Sequence, residues 1–138
     1  MKIPRFEAPT EWLKPTEFPD LRHVDEIAID LETKDPDLIK KGSGSVIGNG
    51  DVIGIAVATS HYKGYFPIAH EGGGNMDRTK VLSWLKDVLE APSTKVFHNA
   101  IYDVCWLRAL GFKINGNIAC TMIAAAVTNE NRFRYDLN

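Results

Sequence analysis

The stretch VDEIAIDLE, residues 24–32, decides the fold because apolar and polar side chains alternate along it. A period of two predicts a β-strand whose successive side chains point to opposite faces. One face carries Ile27, Ile29 and Leu31. The other face carries Asp30 and Glu32, whose Cα atoms would lie about 7 Å apart on a strand. An exposed acidic strand face is one explanation, and a cation between the carboxylates is the other.

A second segment, HNAIYD at residues 98–103, brings a third acid. Asn99 is predicted to cap a helix that runs to Leu110, and Asp103 lies in its first turn, where the helix dipole favours an acid. Asp103 could therefore be only a favourable first-turn residue. If it converges with the two strand acids, their burial requires positive charge, and a pair of divalent metal ions is the usual source.

Composition limits the class of protein. The 138 residues predict one domain with a real core, and 44% hydrophobic residues exclude a disordered chain. A formal net charge of -2 excludes a duplex binder that acts through phosphate neutralisation alone. The most apolar runs, 52–58 and 118–127, are shorter than the roughly 20 residues of a membrane span. No membrane association and a cytoplasmic location are expected.

The chain divides into a proline-rich arm, residues 1–23, and a domain, residues 24–138. Trp12 and Phe18 are expected to dock the arm. The element order predicted for the domain is β-β-β-α-β-α-β-α, with a loop from Asp35 to Gly50. A meander followed by βα units predicts an α/β fold, a mixed β-sheet flanked by helices. The predicted elements are strands at 24–32, 52–59, 62–68, 95–98 and within 114–120, and helices following Asp77, Asn99 and Cys120.

Asp30-Leu31-Glu32-Thr33 and His98-Asn99-x-x-x-Asp103 together resemble the first two exonuclease motifs of the DEDD 3′→5′ exonuclease superfamily. Segments outside the motifs are similar to the proofreading domain of phage family A DNA polymerases. These segments are Phe18–Leu21, Val52–Ala56, Tyr65–His70, Gly73–Asn75, Thr121–Ala126 and Asn129–Phe133. The resemblance implies a ribonuclease H-like fold and hydrolysis of the terminal phosphodiester at the 3′ end of single-stranded DNA.

The resemblance also implies roles for individual residues. Asp30 would bridge two Mg²⁺ or Mn²⁺ ions, Glu32 would ligate one of them, and Asp103 would hold the second. These acids would be both the catalytic and the metal-binding residues. Candidates for substrate binding are Leu31, Thr33, Asn99 and Tyr102. For Tyr102, core packing is the alternative to stacking on a frayed base.

The family needs a fourth carboxylate in a third motif, Tyr-x-x-x-Asp or His-x-x-x-x-Asp, well after the third helix begins, and residues 121–138 contain neither pattern. We therefore expect a C-terminally incomplete domain with weakened turnover. We also expect an apolar patch around 118–127 that favours self-association.

Two alternative functions stay open. One is a ribonuclease D-like exonuclease acting on RNA 3′ ends. The other is a catalytically inactive module that binds nucleic acid or a polymerase partner. The partners implied by the first function are a single-stranded DNA 3′ end and a polymerase, either as a joined domain or as a separately encoded chain. The location implied is the cytoplasm of a bacterium or of a phage-infected host.

Overall fold

The computed structural model describes residues 12–132 and 134–137. Its framework is a five-stranded sheet in the order β3-β2-β1-β4-β5. The strands are β1 (Glu26–Lys34), β2 (Asp51–Ala58), β3 (Lys63–Pro67), β4 (Thr94–Phe97) and β5 (Ile118–Cys120). The helices are α1 (Leu38–Lys41), α2 (Gly44–Ile47), α3 (Arg78–Glu90), α4 (Ala100–Ala109) and α5 (Thr121–Thr128).

The sheet is mixed, as the element order predicts. The first three strands form an antiparallel meander, and β4 and β5 then add in parallel beyond β1. Each parallel strand arrives after a helix, because a parallel crossover needs a connection of that length. The predicted α/β architecture is therefore confirmed, and β1 is the central strand.

The core lies on one face of the sheet. Ile27, Ile29 and Leu31 of β1 are 0%, 2% and 6% exposed. They share one hydrophobic cluster with Leu85 of α3 and Leu107 of α4. The alternate residues of β1 are exposed. The strand acids therefore lie on the uncovered face of the sheet, and helices α3 and α4 pack against the opposite face.

The segment between β1 and β2 is not the plain loop that the sequence predicts. It holds the two four-residue helices α1 and α2. Both carboxylate oxygens of Asp35 accept hydrogen bonds from the backbone N–H of Gly44 at 3.0 Å. A contact from outside the helix therefore satisfies a donor at the start of α2.

Residues 1–11 of the predicted arm lie outside the described residues, so Pro4 and Pro9 have no structural account. From Trp12 onward the segment lies against the domain. The Phe18 ring lies 6.1 Å from that of Phe66, and the Trp84 indole donates to the carbonyl of Pro19 at 2.8 Å. The boundary at residue 23 stays a prediction.

Helix α5 buries none of its residues. Ile118, Ile123 and Val127 are 44%, 52% and 82% exposed, which places an apolar surface where the sequence predicts one. Self-association through this surface stays a prediction. Of the helices in residues 12–132 and 134–137, none has the length and apolar character that crossing a membrane requires.

Candidate functional site

The strand acids stand on the uncovered face of β1, as its alternation predicts. Asp30 and Glu32 are both exposed, and the buried Leu31 lies between them. The pairing of β1 with β2 shifts register directly after Glu32, so that Glu32 faces Gly54 and Thr33 faces Val52. A bulge of this kind redirects the side chains that follow it, and bulges are common beside functional sites.

Asn99 begins α4, but its side chain does not cap the helix as the sequence predicts. Its backbone is left-handed, with φ 60° and ψ 59°, and its exposed side chain makes no capping hydrogen bond. Among the described residues, Asn99 is the one non-glycine residue with positive φ. Asparagine tolerates this region better than most residues. The Asn99 amide is therefore available on the surface at the start of α4.

Asp103 lies in the first turn of α4 and is 3% exposed. The pKa of its carboxyl is raised to about 7, mainly by burial, next by the charge of Asp30 and less strongly by that of Glu32. The backbone N–H of Leu31 donates to the carboxyl and opposes part of this shift. Its Oδ2 atom is buried without a hydrogen-bond partner. The structure therefore brings the three acids within electrostatic reach of one another.

Asp30 has a raised pKa because it is partly buried, and the neighbouring His98 lowers it in part. His98 follows β4, and its Nδ1 lies 2.9 Å from Thr121 Oγ1. The Nε2 atom of His98 is buried without a partner. Asp30, His98 and Thr121 line a cleft of about 300 Å³ on the uncovered face. A larger cleft of about 790 Å³ lies beyond Ala28, towards His23, and no site acid lines it.

The remaining candidates divide between a polar network and the core. The Tyr102 hydroxyl lies 2.8 Å from Thr33 Oγ1 and donates to Asp35 Oδ2 at 2.9 Å. Tyr102 is therefore a hydrogen-bonding residue that joins α4 to the end of β1. Leu31 points into the core, and this placement disfavours contact with a sugar.

Asp35 is the member of this network that sequence reasoning missed. The sequence pattern predicts a loop at Asp35, although this acid follows the acidic strand closely. In the structure, the Asp35 carboxylate accepts a hydrogen bond from the Tyr102 hydroxyl. It also accepts one from the backbone N–H of Gly44 at the start of α2. The available signal was an acid just past a strand end, but nothing local identifies its partners, which lie 9 and 67 residues away.

Whether this site suits a divalent cation depends on its donors. Within residues 12–132 and 134–137, no three side chains of His, Cys, Asp or Glu form a ready-made metal cluster. The donors are nevertheless carboxylate oxygens, which Mg²⁺ and Mn²⁺ prefer. Asp103 Oδ2 is buried without a hydrogen-bond partner, and burial and the neighbouring Asp30 and Glu32 raise the pKa of its carboxyl. The donor set thus fits a hard divalent cation, although the side chains do not enclose one point.

Comparison with known proteins places the chain among nucleases. A family model described as 3′-5′ exonuclease matches residues 16–138. A DNA-directed DNA polymerase of Pseudomonas phage M6 is 40% identical over 81 residues, covering 56% of this chain and 12% of the relative. DNA polymerase DpoZ of Salmonella phage PMBT28 is 30% identical over 123 residues, covering 88% and 17%. The chain thus spans less than a fifth of the length of these relatives.

Solved structures share the fold at lower identity. Brucella melitensis NrnC bound to pGG is 22% identical with a TM-score of 0.57, covering 86% of this chain and 51% of that one. NrnC with bound Mg²⁺ has a TM-score of 0.54 at 21% identity, covering 86% and 52%. Trypanosoma brucei RNase D has a TM-score of 0.55 at 18% identity, covering 78% and 34%. These likenesses establish a ribonuclease H-like exonuclease fold.

Proposed function

The chain belongs to the 3′-5′ exonuclease family represented in phage DNA polymerases, and from that premise we propose that it hydrolyses the last phosphodiester at the 3′ end of single-stranded DNA. The observation that carries the proposal is the buried Asp103 carboxyl, which lies within electrostatic reach of Asp30 and Glu32 and leaves Oδ2 without a partner. A structural acid in a first helix turn needs no acidic neighbours. Three mutually repelling acids, in contrast, are stable together when a cation binds them.

Asp30, Glu32 and Asp103 would hold Mg²⁺ or Mn²⁺. Such ions, when bound, supply a water of lowered pKa and stabilise charge on the leaving oxygen. Asp103 contributes a carboxylate fixed by the first turn of α4 and by the Leu31 N–H. Asp30 and Glu32 contribute two carboxylates from one rigid central strand, so their spacing is set by the backbone.

The substrate-binding part of the proposal rests on Asn99, Thr33 and Tyr102. The exposed Asn99 amide at the start of α4 is available to the terminal nucleotide. Thr33 and Tyr102 fix each other through their hydroxyl groups, which lie 2.8 Å apart. Their hydrogen bond joins α4 to the end of β1, next in sequence to Glu32 and Asp103. Leu31 is left out of the contact set because it is buried.

DNA is favoured over RNA by the relatives. The two phage DNA polymerases are 40% and 30% identical to the chain. The ribonuclease D structure is 18% identical and supports only the fold. Association with a polymerase domain follows from the same relatives and is part of the proposal. Degradation of an RNA oligonucleotide faster than its DNA counterpart would favour the ribonuclease alternative.

The test is 3′ trimming of a 5′-labelled single-stranded DNA oligonucleotide in Mg²⁺ or Mn²⁺. The expected product is a ladder that shortens by single nucleotides from the 3′ end and disappears in Asp30→Ala. Glu26→Ala is the matched control, because Glu26 is an exposed acid on the same face of β1. Equal trimming by wild type and Asp30→Ala would contradict the proposal. The same assay measures whether turnover is weak, as the sequence predicts.

A further inference from the structure

A second polar cluster, Tyr65 and His70, lies on the same sheet face as the acids and has no role in the proposed function so far. Tyr65 on β3 is the register partner of Ala56 on β2, and Ala56 is the partner of Asp30 on β1. Residues directly opposite one another in antiparallel strands share a face. The Tyr65 side chain therefore projects on the face that carries Asp30.

Gly54 fixes where the Tyr65 hydroxyl lies. A Cβ atom at position 54 would lie 1.9 Å from Tyr65 Oη, so the hydroxyl occupies the space that any side chain there would fill. Gly54 is also the register partner of Glu32. The hydroxyl thus covers the backbone directly opposite Glu32. This close approach explains a glycine within a strand that is otherwise mostly apolar.

Two contacts hold the Tyr65 side chain in that position, and two further hydrogen bonds hold the backbone of its partner His70. Tyr65 Oη hydrogen-bonds to His70 Nε2. His70 is itself clamped by Asn75, whose amide accepts from the His70 backbone N–H at 2.7 Å and donates to its carbonyl at 2.9 Å. The Trp12 ring meets the Tyr65 ring edge-on at 6.0 Å. These contacts hold the phenol ring over Gly54 and its oxygen beside His70 Nε2.

The loop that carries His70 is also joined to the strand of acids. Lys34, the last residue of β1, pairs with Glu71, the residue after His70. The hydroxyl covers Gly54, the register partner of Glu32, and burial and then the charge of Glu32 raise the pKa of Tyr65. The phenol consequently stays protonated at neutral pH and can donate. A neutral donor can approach an anionic ligand where a further carboxylate would repel it.

We propose that Tyr65 donates a hydrogen bond to a phosphate oxygen of the terminal nucleotide beside Glu32, and that His70 is the positioning residue that orients this hydroxyl. In the His70 tautomer that is protonated at Nε2, the imidazole donates to the phenol oxygen, which leaves the phenol O–H free to donate to the phosphate. This inference rests on the proposed function and names a further substrate-binding residue for it.

The test measures the affinity of the 138-residue chain for a fluorescent single-stranded (dT)8 oligonucleotide by anisotropy, with Ca²⁺ replacing Mg²⁺ so that binding is observed without turnover. Tyr65→Phe removes only the hydroxyl and should weaken binding about tenfold, as expected for one hydrogen bond to a charged group. Tyr62→Phe is the matched control: its hydroxyl similarly covers Gly64, near the turn between β2 and β3.

Two variants of His70 separate positioning from general structure. His70→Ala should weaken binding about as much as Tyr65→Phe. His70→Gln, whose amide can place a donor near the Nε2 position, should recover part of the loss. Adding Tyr65→Phe to His70→Ala should cost little more, because both changes interrupt one donor chain. Thermal melts of each variant establish that the fold is kept.

The outcomes are distinguishable. Tenfold weakening in Tyr65→Phe with an unchanged Tyr62→Phe supports the inference. Wild-type affinity in Tyr65→Phe overturns the inference and leaves the proposed function standing. Failure of the wild-type chain both to bind (dT)8 and to trim DNA overturns both.

Discussion

Asp30 on β1 is the charged residue that raises the pKa of Asp103 on α4 most strongly, second in effect only to burial. The two residues are 73 positions apart in the chain and come from different elements. Their proximity is therefore a product of the fold, in which the start of α4 lies beside the central strand. It also has a thermodynamic consequence that can be measured.

Asp103→Asn should stabilise the metal-free protein at neutral and alkaline pH. The carboxyl has a pKa of about 7 in the folded chain and about 4 when unfolded. Between these values the folded protein binds more protons, so its free energy of unfolding falls as pH rises. The contribution of this carboxyl to the free energy of unfolding is fully present below pH ~4 and is lost by pH ~7. It amounts to at most about 4 kcal/mol.

Urea unfolding of wild type and Asp103→Asn at pH 5 and pH 8 measures this difference. The variant should gain about 2 to 4 kcal/mol over wild type at pH 8 and clearly less at pH 5. Mn²⁺ should narrow the gap at pH 8 by stabilising the wild type alone. If Asp103→Asn were no more stable than the wild type at either pH, the buried Asp103 carboxylate would not destabilise the folded protein.

Tyr102→Phe should loosen the contact between α4 and the end of β1. The substitution keeps the ring and removes the hydroxyl that bonds to Thr33 and Asp35. The expected cost is about 1 to 2 kcal/mol of unfolding free energy, because Asp35 loses a donor. Tyr135→Phe is the control, since its hydroxyl donates to Asn129 on an exposed segment. Equal costs for the two variants would rule out a special role for the network.

Lys95→Met should be one of the more damaging single changes outside the site. Lys95 is 0% exposed, and its Nζ donates to the backbone carbonyls of Ala91, Ser93 and Asn115. Methionine fills the same space but leaves three carbonyls without that donor, at a cost of about 3 kcal/mol. Lys86→Met, at an exposed position of α3, should cost less than about 0.5 kcal/mol. Chemical denaturation measures both, and a small loss for Lys95→Met would contradict the account.

The parts of the fold that sequence reasoning predicted are those with a periodic pattern. The alternation in β1 predicts both the buried face of Ile29 and the open face of Asp30, and the structure shows both. For α3, Asp77 accepts from the Lys80 N–H at 3.0 Å, as a capping residue should. In these places, local rules and tertiary packing favour the same conformation.

The parts that were missed depend on contacts distant in sequence. Asn99 marks the start of α4 correctly, but its left-handed backbone leaves the side chain uncapped, and no pattern of residues specifies that φ. Lys95 is typical of an exposed strand position, yet it is buried where three carbonyls converge. Helix α2 contains two polar or glycine residues in four and is held by Asp35 from outside. Such partners become visible only once the chain is folded.

The central claim is that Asp30, Glu32 and Asp103 bind a divalent cation, and Mn²⁺ titration followed by electron paramagnetic resonance tests it most directly. The wild-type chain should bind Mn²⁺ with an affinity that falls at least tenfold in Asp103→Asn and in Asp30→Asn. Glu26→Gln, an acid on the same strand face, should bind as wild type does. Mn²⁺ binding that is equal in all four proteins, or absent from the wild type, would contradict the account.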